Sequence, residues 1–154
     1  MTEEYIRNEY DKIKKNHLLS YIGCSAGPEK RNIFKWNVLL KGPNKTCYEN
    51  GLFKLSMEFP SNYPNEPPSI NFVTKIYHPN ISLNNGAICI SSKSTEWDSH
   101  RNLVNIIYSI FDLLKEPNIE HGINNEALSL YKNNKEEFEK RAKEYIFILI
   151  LLMN

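Results

Sequence analysis

Hydrophobic residues recur along this chain at two different spacings, and each spacing predicts a type of secondary structure. Near the N-terminus, Ile6, Tyr10 and Ile13 fall on one face of a helix, because residues three to four apart lie side by side there. We place this helix over residues 3–16, with Thr2 as its N-cap. The chain is therefore expected to begin with an amphipathic helix whose charged side faces water.

Two segments in the middle of the chain alternate between apolar and polar residues, which is the pattern of a half-buried strand. The first runs from Phe34 to Leu40 and the second from Phe53 to Phe59. Four prolines between residues 60 and 68 then interrupt regular structure, and a further short strand is predicted at Ile70 to Thr74. Short connections favour an antiparallel meander, because parallel pairing needs long crossovers.

The last third of the chain returns to helical spacing. A broad apolar face predicts a deeply buried helix that ends near Lys115, before Pro117; the face is formed by Leu103, Ile106, Ile107, Ile110, Phe111 and Leu114. Asn124 is the predicted cap of a short helix that reaches Tyr131, and Asn134 is the predicted cap of a final helix. A helix, then strands, then helices place the chain in the α+β fold class.

Composition narrows the class of function. A chain of 154 residues predicts one domain, residues 1–154, and a net charge of +1 argues against a nucleic-acid partner. Cys24, Cys47 and Cys89 are odd in number and widely spaced, so neither a disulfide scaffold nor a metal site is expected. The charged N-terminus is unlike a secretory signal, and we therefore expect a cytoplasmic or nuclear location.

One stretch between Tyr77 and Trp97 combines residues that can perform acyl transfer. It contains the tripeptide His78, Pro79 and Asn80, and Cys89 follows nine residues after the asparagine, across a loop of turn-forming residues. A thiolate is a strong nucleophile, and an amide NH2 nearby can stabilise the oxyanion that forms on attack. On this segment alone, the alternative that Cys89 is a buried small hydrophobic residue stays open.

Several short motifs, in one order and at near-constant spacing, resemble those of ubiquitin-conjugating enzymes. The resemblance runs from about Glu4 to about Tyr145. The motifs are CSAGP from Cys24, Trp36, KGPNKTCYENGLFKL from Lys41, FPSNYPNEPP from Phe59, TKIYHPNI from Thr74, GAIC from Gly86, Trp97 and EPN from Glu116. The chain is thus identified as resembling a member of that family.

The resemblance implies both a fold and a reaction. The fold would be the family's core domain (UBC fold), a four-stranded antiparallel meander sheet flanked by an N-terminal helix and three C-terminal helices. Cys89 would accept the C-terminal glycine of ubiquitin from an activating enzyme as a thioester and pass it to a substrate lysine, usually with a ligase. The chain itself would need no cofactor, because ATP is used by the activating enzyme.

The resemblance also assigns roles around the thiol. Asn80 matches an asparagine thought to stabilise the oxyanion, although holding the loop in place is an equally open role. His78 is read as a buried residue that ties down the loop, and Pro79 as one that fixes the backbone. His121 stands where the family often has an acidic residue that orients the incoming lysine, and the loop from Asn80 to Cys89 is one residue longer than usual.

Partner-binding residues follow from the same resemblance. Arg7, Lys14 and Lys15 would contact the activating enzyme, whereas Asn65 and Trp97 would belong to the ligase-binding surface. Asn65 stands where many relatives have an apolar residue, and Asp98, Ser99 and His100 replace a Ser-Pro-Ala-like segment of small residues after the tryptophan. Both changes remove apolar area that would anchor a RING ligase, so whether a RING or a HECT ligase binds is open. Ser25 would lie in a second, non-covalent ubiquitin site on the outer face of the sheet.

The apolar run at residues 145–153 has no counterpart in the resemblance. A membrane span needs about twenty residues, so this run is too short to be one. We expect the last helix to continue through it and to bury only part of it. The remainder would form a patch for self-association or for an unidentified partner.

Three other functions are weighed against conjugation of ubiquitin. The same chemistry could carry a NEDD8-like or SUMO-like modifier, and a non-catalytic scaffold of the same fold could bind ubiquitin. The presence of Cys89 and Asn80 argues against the scaffold. A cysteine hydrolase with His78 or His121 as its base is disfavoured, because neither histidine lies in a motif of such enzymes.

Overall fold

The computed structural model describes residues 1–89 and 103–153. The elements in chain order are α1 (Thr2–Lys14), α2 (His17–Tyr21), β1 (Cys24–Glu29), β2 (Asn32–Lys41), β3 (Leu52–Glu58), β4 (Ser69–Phe72), α3 (Leu103–Lys115), α4 (Asn125–Asn133) and α5 (Lys135–Met153). The α+β prediction is confirmed, with three helices after the sheet in the part of the chain described.

The sheet is a four-stranded antiparallel meander in the order β1-β2-β3-β4. Its register pairs Trp36 with Met57 and Leu55 with Phe72, so the alternate apolar residues of neighbouring strands share one face. That face is buried under the helices, with Trp36, Phe53 and Met57 each 0% exposed. The predicted strand alternation is therefore confirmed, and it defines which side of the sheet carries the core.

The N-terminal region contains two helices where one was predicted over residues 3–16. The first ends at Lys14, and the side chain of Asn16 accepts a hydrogen bond from the Leu19 backbone N–H (3.0 Å), which caps α2. Thr2 was predicted to cap α1, but its side chain does not do so. Its hydroxyl donates instead to the backbone carbonyl of Ser61. The short polar side chain of Asn16 thus starts a new helix rather than continuing the old one.

The strands are shifted slightly from their predicted ends. The predicted strand at Ile70 to Thr74 is Ser69–Phe72, because the Val73 and Thr74 N–H groups both turn to the carbonyl of Lys54. Strand β1 was not predicted from the residue pattern. Its glycine and proline weaken the alternation, and pairing with β2 supplies the missing constraint.

The C-terminal helices begin and end largely where the caps predicted. Asn124 accepts from the Ala127 N–H (3.1 Å) and Asn134 from the Glu137 N–H (3.2 Å), so both predicted caps are confirmed. Helix α5 continues through the apolar run to Met153, as expected. Of the helices described within residues 1–89 and 103–153, none is long and apolar enough to cross a membrane.

Candidate active site

The segment before the candidate nucleophile is one of the most buried parts of the molecule. Residues 76–81 are all buried, and the five with the lowest exposure are at most 3% exposed: Ile76, Tyr77, His78, Asn80 and Ile81. Isolated bridges join His78 to Ile81 and Ile81 to Ile88. The segment therefore provides a rigid base on which the loop to Cys89 is built.

Both ends of the loop from Asn80 to Cys89 are joined by backbone hydrogen bonds. The Cys89 N–H donates to the carbonyl of Asn80 (2.7 Å), and the Ser82 N–H donates to that of Ala87 (2.8 Å). Gly86 forms the turn with a φ of +72°, a conformation that side chains rarely adopt. Asn80 and Cys89, nine residues apart in sequence, are therefore adjacent through their backbones.

The side chain of Asn80 is fully hydrogen-bonded to the loop that follows α3. Its Oδ1 accepts from the Asn118 N–H (2.9 Å), and its Nδ2 donates to the backbone carbonyls of Asn118 (2.9 Å) and His121. Both amide protons are thus engaged, which is the loop-holding arrangement weighed above. An oxyanion contact would require one of these bonds to be exchanged, and that role stays a prediction.

His78 lies in the interior with 0% exposure and is bonded through both ring nitrogens. Its Nδ1 accepts from the Asn80 N–H (3.0 Å), which leaves Nε2 as the protonated nitrogen that donates to the Leu113 carbonyl (2.8 Å). Burial lowers the pKa of His78 to about 4, more than the hydrogen bond to Leu113 raises it. At neutral pH it is an uncharged residue that connects the loop to α3.

Pro79 and His121 meet at the same loop through the backbone. The carbonyl of Pro79 accepts from the N–H groups of Ile123 (2.9 Å) and Asn124 (3.0 Å), directly before α4. The backbone carbonyl of His121 accepts from the Asn80 side chain, whereas His121 is otherwise exposed to solvent. The sequence-predicted residues His78, Pro79, Asn80 and His121 are therefore brought together, with the imidazole of His121 on the outside.

Cys89 is half-buried at the end of this loop, so its thiol is not enclosed in the core. The other two thiols have different surroundings. Burial raises the pKa of Cys24 and of Cys47 to about 11, so both are protonated at neutral pH. Cys89 is therefore half-buried, and not the buried small hydrophobic residue of the alternative interpretation.

A network behind the tripeptide was not found from the sequence. The Tyr77 hydroxyl donates to Glu126 (2.7 Å), which also binds Arg141 (2.6 Å), and the Tyr48 hydroxyl donates to the Tyr77 carbonyl (2.6 Å). The ring of Tyr77 stacks on Tyr145 with centroids 5.7 Å apart. These contacts connect the residue before His78 to α4 and α5, and no local pattern in the sequence indicates them.

Glu9 is a second feature that was not predicted from the sequence, because it is a charged residue on the buried face of α1. It is 3% exposed, and its Oε2 accepts from the backbone N–H of Leu103 (3.3 Å), the first residue of α3. A signal was present, since Glu9 lies three residues after Ile6 and four before Ile13, on the buried face. Tyr10, which was predicted there, is half-buried and packs edge-on against Trp36 (5.4 Å).

The predicted partner-binding residues lie on several separate surfaces. Arg7, Lys14 and Lys15 are exposed on or just after α1, where Arg7 pairs with Glu3 (2.9 Å) and Lys14 with Asp11 (3.4 Å). Exposed Asn65 lies in the proline-rich loop. Exposed Ser25 lies on the edge strand opposite Leu39, on the outer face of the sheet. Trp97 lies outside the described residues.

Comparison with known proteins gives a consistent result. A sequence model of the family described as ubiquitin-conjugating enzyme matches residues 5–146. The chain is 39% identical over 124 residues to ubiquitin-conjugating enzyme E2 1 of Caenorhabditis elegans, a match that covers 80% of this chain and 64% of that protein. The chain thus spans less than two thirds of that curated relative.

Solved structures agree with the sequence matches. A crystal structure assigned as a ubiquitin conjugating enzyme from Plasmodium yoelii is 34% identical, with a TM-score of 0.85 over 94% of this chain and 92% of that one. The E2 domain of a ubiquitin conjugating enzyme from Toxoplasma gondii is 30% identical, with a TM-score of 0.84 over 96% of this chain and 98% of that one. The fold is therefore shared with these proteins.

Proposed function

This chain belongs to the ubiquitin-conjugating enzyme family, and from that premise we propose that Cys89 carries ubiquitin as a thioester and transfers it to the amine of a lysine. The observation that supports this most is that half-buried Cys89 is joined through its backbone to Asn80, which is buried. The Cys89 N–H is bonded to the carbonyl of Asn80, whose side chain holds the 118–121 loop beside it.

The proposed reaction has two acyl transfers. In the first, the Cys89 thiolate attacks the thioester that the activating enzyme holds, and the thiolate of that enzyme leaves. In the second, a lysine amine attacks the carbonyl carbon on Cys89, the C–S bond breaks, an amide forms, and the ammonium proton passes to solvent or to a base. A thioester is more reactive than an amide, so the protein mainly has to position the two reactants.

The loop residues have distinct proposed roles in the second step. Asn80 holds the 118–121 loop and, by exchanging one carbonyl partner, can donate to the oxyanion. His121 is exposed on that loop, where a neutral imidazole can accept a hydrogen bond from the incoming amine. His78 and Pro79 keep the loop in place and take no direct part, since His78 is fully buried.

The proposed partners follow the same reasoning. The basic residues Arg7, Lys14 and Lys15 on one exposed helix suit contact with an activating enzyme, which would use the ATP. A RING or HECT ligase would contact the proline-rich loop at Asn65, and a further ubiquitin would bind near Ser25. Three cysteines without a disulfide suit the reducing cytoplasm or nucleus.

A thioester assay tests the proposal and identifies the modifier. The protein is mixed with ATP and with matched activating enzymes and modifiers: ubiquitin, a NEDD8-like protein and a SUMO-like protein. We expect an adduct with ubiquitin that disappears when a thiol reductant is added. Adduct formation only with another modifier would contradict the ubiquitin assignment, and no adduct with any would favour a scaffold.

Two serine variants locate the reactive thiol. Cys89→Ser should lose the reducible adduct, or trap a stable ester that resists the reductant. Cys47→Ser is the matched control, because Cys47 is also a half-buried free thiol but lies outside the loop from Asn80 to Cys89. A reducible adduct that survives in Cys89→Ser would overturn the assignment of this cysteine.

A further inference from the structure

The end of α5 exposes a continuous apolar surface, which we call the α5 patch. It consists of five side chains that are 42% to 81% exposed: Phe147, Ile148, Ile150, Leu151 and Leu152. Phe147 and Leu151 lie one turn apart and form its central ridge, whereas the preceding residue, Ile146, is buried against the core. The patch therefore faces away from the domain.

A groove lies directly beside this ridge. It has a volume of about 440 Å³ and is lined by Thr46, Cys47, Glu49, Asn50, Lys143, Ile146, Phe147 and Ile150. Phe147 and Ile150 are shared between the groove and the patch. The same surface thus presents a protruding apolar ridge and a concave site next to it, which is the arrangement that a two-fold symmetric contact needs.

We propose that the α5 patch and its groove form a symmetric interface with a second copy of this chain. At about 100 Å² for each apolar side chain, the patch presents on the order of 500 Å². That is near the upper end of what monomers usually expose, about 300–600 Å². Two such patches, fully covered, would bury about 1,000 Å², which is the lower limit for a specific interface and the size of a weak one.

The charges around the patch favour a second copy over a lipid surface. Before the patch, helix α5 carries four basic and four acidic residues: Lys135, Lys140, Arg141 and Lys143, and Glu136, Glu137, Glu139 and Glu144. An anionic membrane attracts helices with a basic polar face, which these residues do not provide. A surface with both signs can instead pair with itself across a two-fold axis.

Sedimentation equilibrium from about 1 µM to about 1 mM tests the proposal. We expect the mass to rise from one chain to two. Phe147→Glu should raise the dissociation constant about tenfold or more, because it places a charge on the central ridge. Leu18→Glu is the matched control, since Leu18 on α2 is 60% exposed where Phe147 is 61%, and it should leave the dissociation constant unchanged.

A second readout leaves the residues of the α5 patch unchanged. In a Cys89→Ser background, alkylation of Cys47 by iodoacetamide should slow as protein concentration rises, because Cys47 lines the groove. A mass of one chain at every concentration would overturn the proposal, and so would equal effects of Phe147→Glu and Leu18→Glu. Binding of the monomer to phosphatidylcholine–phosphatidylserine vesicles through Phe147 would overturn it by assigning the patch to lipid.

Discussion

One buried side chain of the tripeptide, that of His78, links the stability of this molecule to acid pH. His78 makes two hydrogen bonds inside the protein and lies 5.6 Å from the ring of Tyr48, centroid to centroid. Nδ1 can accept the hydrogen bond from Asn80 only when the imidazole is neutral, so protonation of His78 opposes the folded state. The stability of the loop base is therefore linked to pH through one residue.

We predict an acid-induced loss of stability that is specific to His78. The pKa falls from 6.5 to about 4 on folding, so the unfolded chain takes up a proton that the folded chain does not. The part of the stability that depends on neutral His78 is present above pH 6.5. It is lost between pH 6.5 and pH 4, and amounts to about 3 kcal/mol. Urea unfolding of the wild type and of His78→Gln across this range measures the effect.

The His78→Gln variant should be less stable at pH 7, because it loses packed contacts, but its stability should change less between pH 6.5 and pH 4. His17→Gln, which replaces an exposed histidine, should retain the wild-type pH dependence. Parallel profiles for the wild type and His78→Gln would show that His78 does not carry the effect.

Asn80 supports a second prediction at the residue scale, one that separates its two roles. Asn80→Ala leaves the Asn118 N–H and the carbonyls of Asn118 and His121 without this partner, and should cost about 2–3 kcal/mol of stability. If Asn80 also stabilises the oxyanion, discharge from Cys89 to lysine should fall about 100-fold or more well below the melting temperature. Loading of Cys89 should fall much less.

Asn84→Ala, which alters an exposed residue of the same loop, is the control for both measurements. A discharge rate that recovers at low temperature, where the variant is fully folded, would leave Asn80 with the structural role alone.

At the scale of elements, the turn before Cys89 depends on one backbone conformation. Gly86 has a φ of +72°, and a Cβ atom added there would lie 1.9 Å from the carbonyl oxygen of Phe72. Gly86→Ala should therefore destabilise the protein by about 2 kcal/mol or more, through strain and through collision with β4.

The matched control is Gly27→Ala on β1, where an added Cβ would lie 3.4 Å from the ring of Tyr10, an ordinary contact. Thermal unfolding should show a large decrease for Gly86→Ala and a small one for Gly27→Ala. Similar decreases in both would contradict the role given to the turn.

The elements also show which parts of the fold the residue pattern could predict. Strand β2 and helix α3 were recognised because each has a strong period, and the Asn124 and Asn134 caps were recognised because capping is local. The break at Lys15 was missed, because it depends on Asn16 bonding to its own neighbours. Strand β1 was missed because it forms through pairing with β2, which no local pattern indicates.

At the scale of the whole molecule, the site depends on contacts between distant segments. The motifs placed Cys89 and Asn80 in one loop, but they could not show that Asn80 bonds residues 38 and 41 positions later. Nor could they show that Tyr77 meets Glu126 and Tyr145. These arrangements follow from how the helices pack on the sheet, which sequence spacing does not encode.

Glu9 gives the last prediction, because it joins α1 to the start of α3. Burial raises its pKa above 4.5, although the Leu103 N–H and nearby Lys12 both favour the charged form. A raised pKa means that the folded state prefers the protonated acid. Protonated Glu9 therefore contributes to stability at low pH, and this contribution is lost as pH rises through the folded pKa, so the charged carboxylate is less favourable to folding than the neutral acid.

Glu9→Gln should therefore stabilise the protein at pH 7, because glutamine is neutral and can still accept from the Leu103 N–H. The gain should shrink as pH falls, because the folded wild type then takes up a proton on Glu9. Glu4→Gln, at an exposed site on the same helix, controls for removal of a negative charge. A Glu9→Gln protein less stable than wild type at pH 7 would mean that the charge at the N-terminus of α3 outweighs the cost of burial.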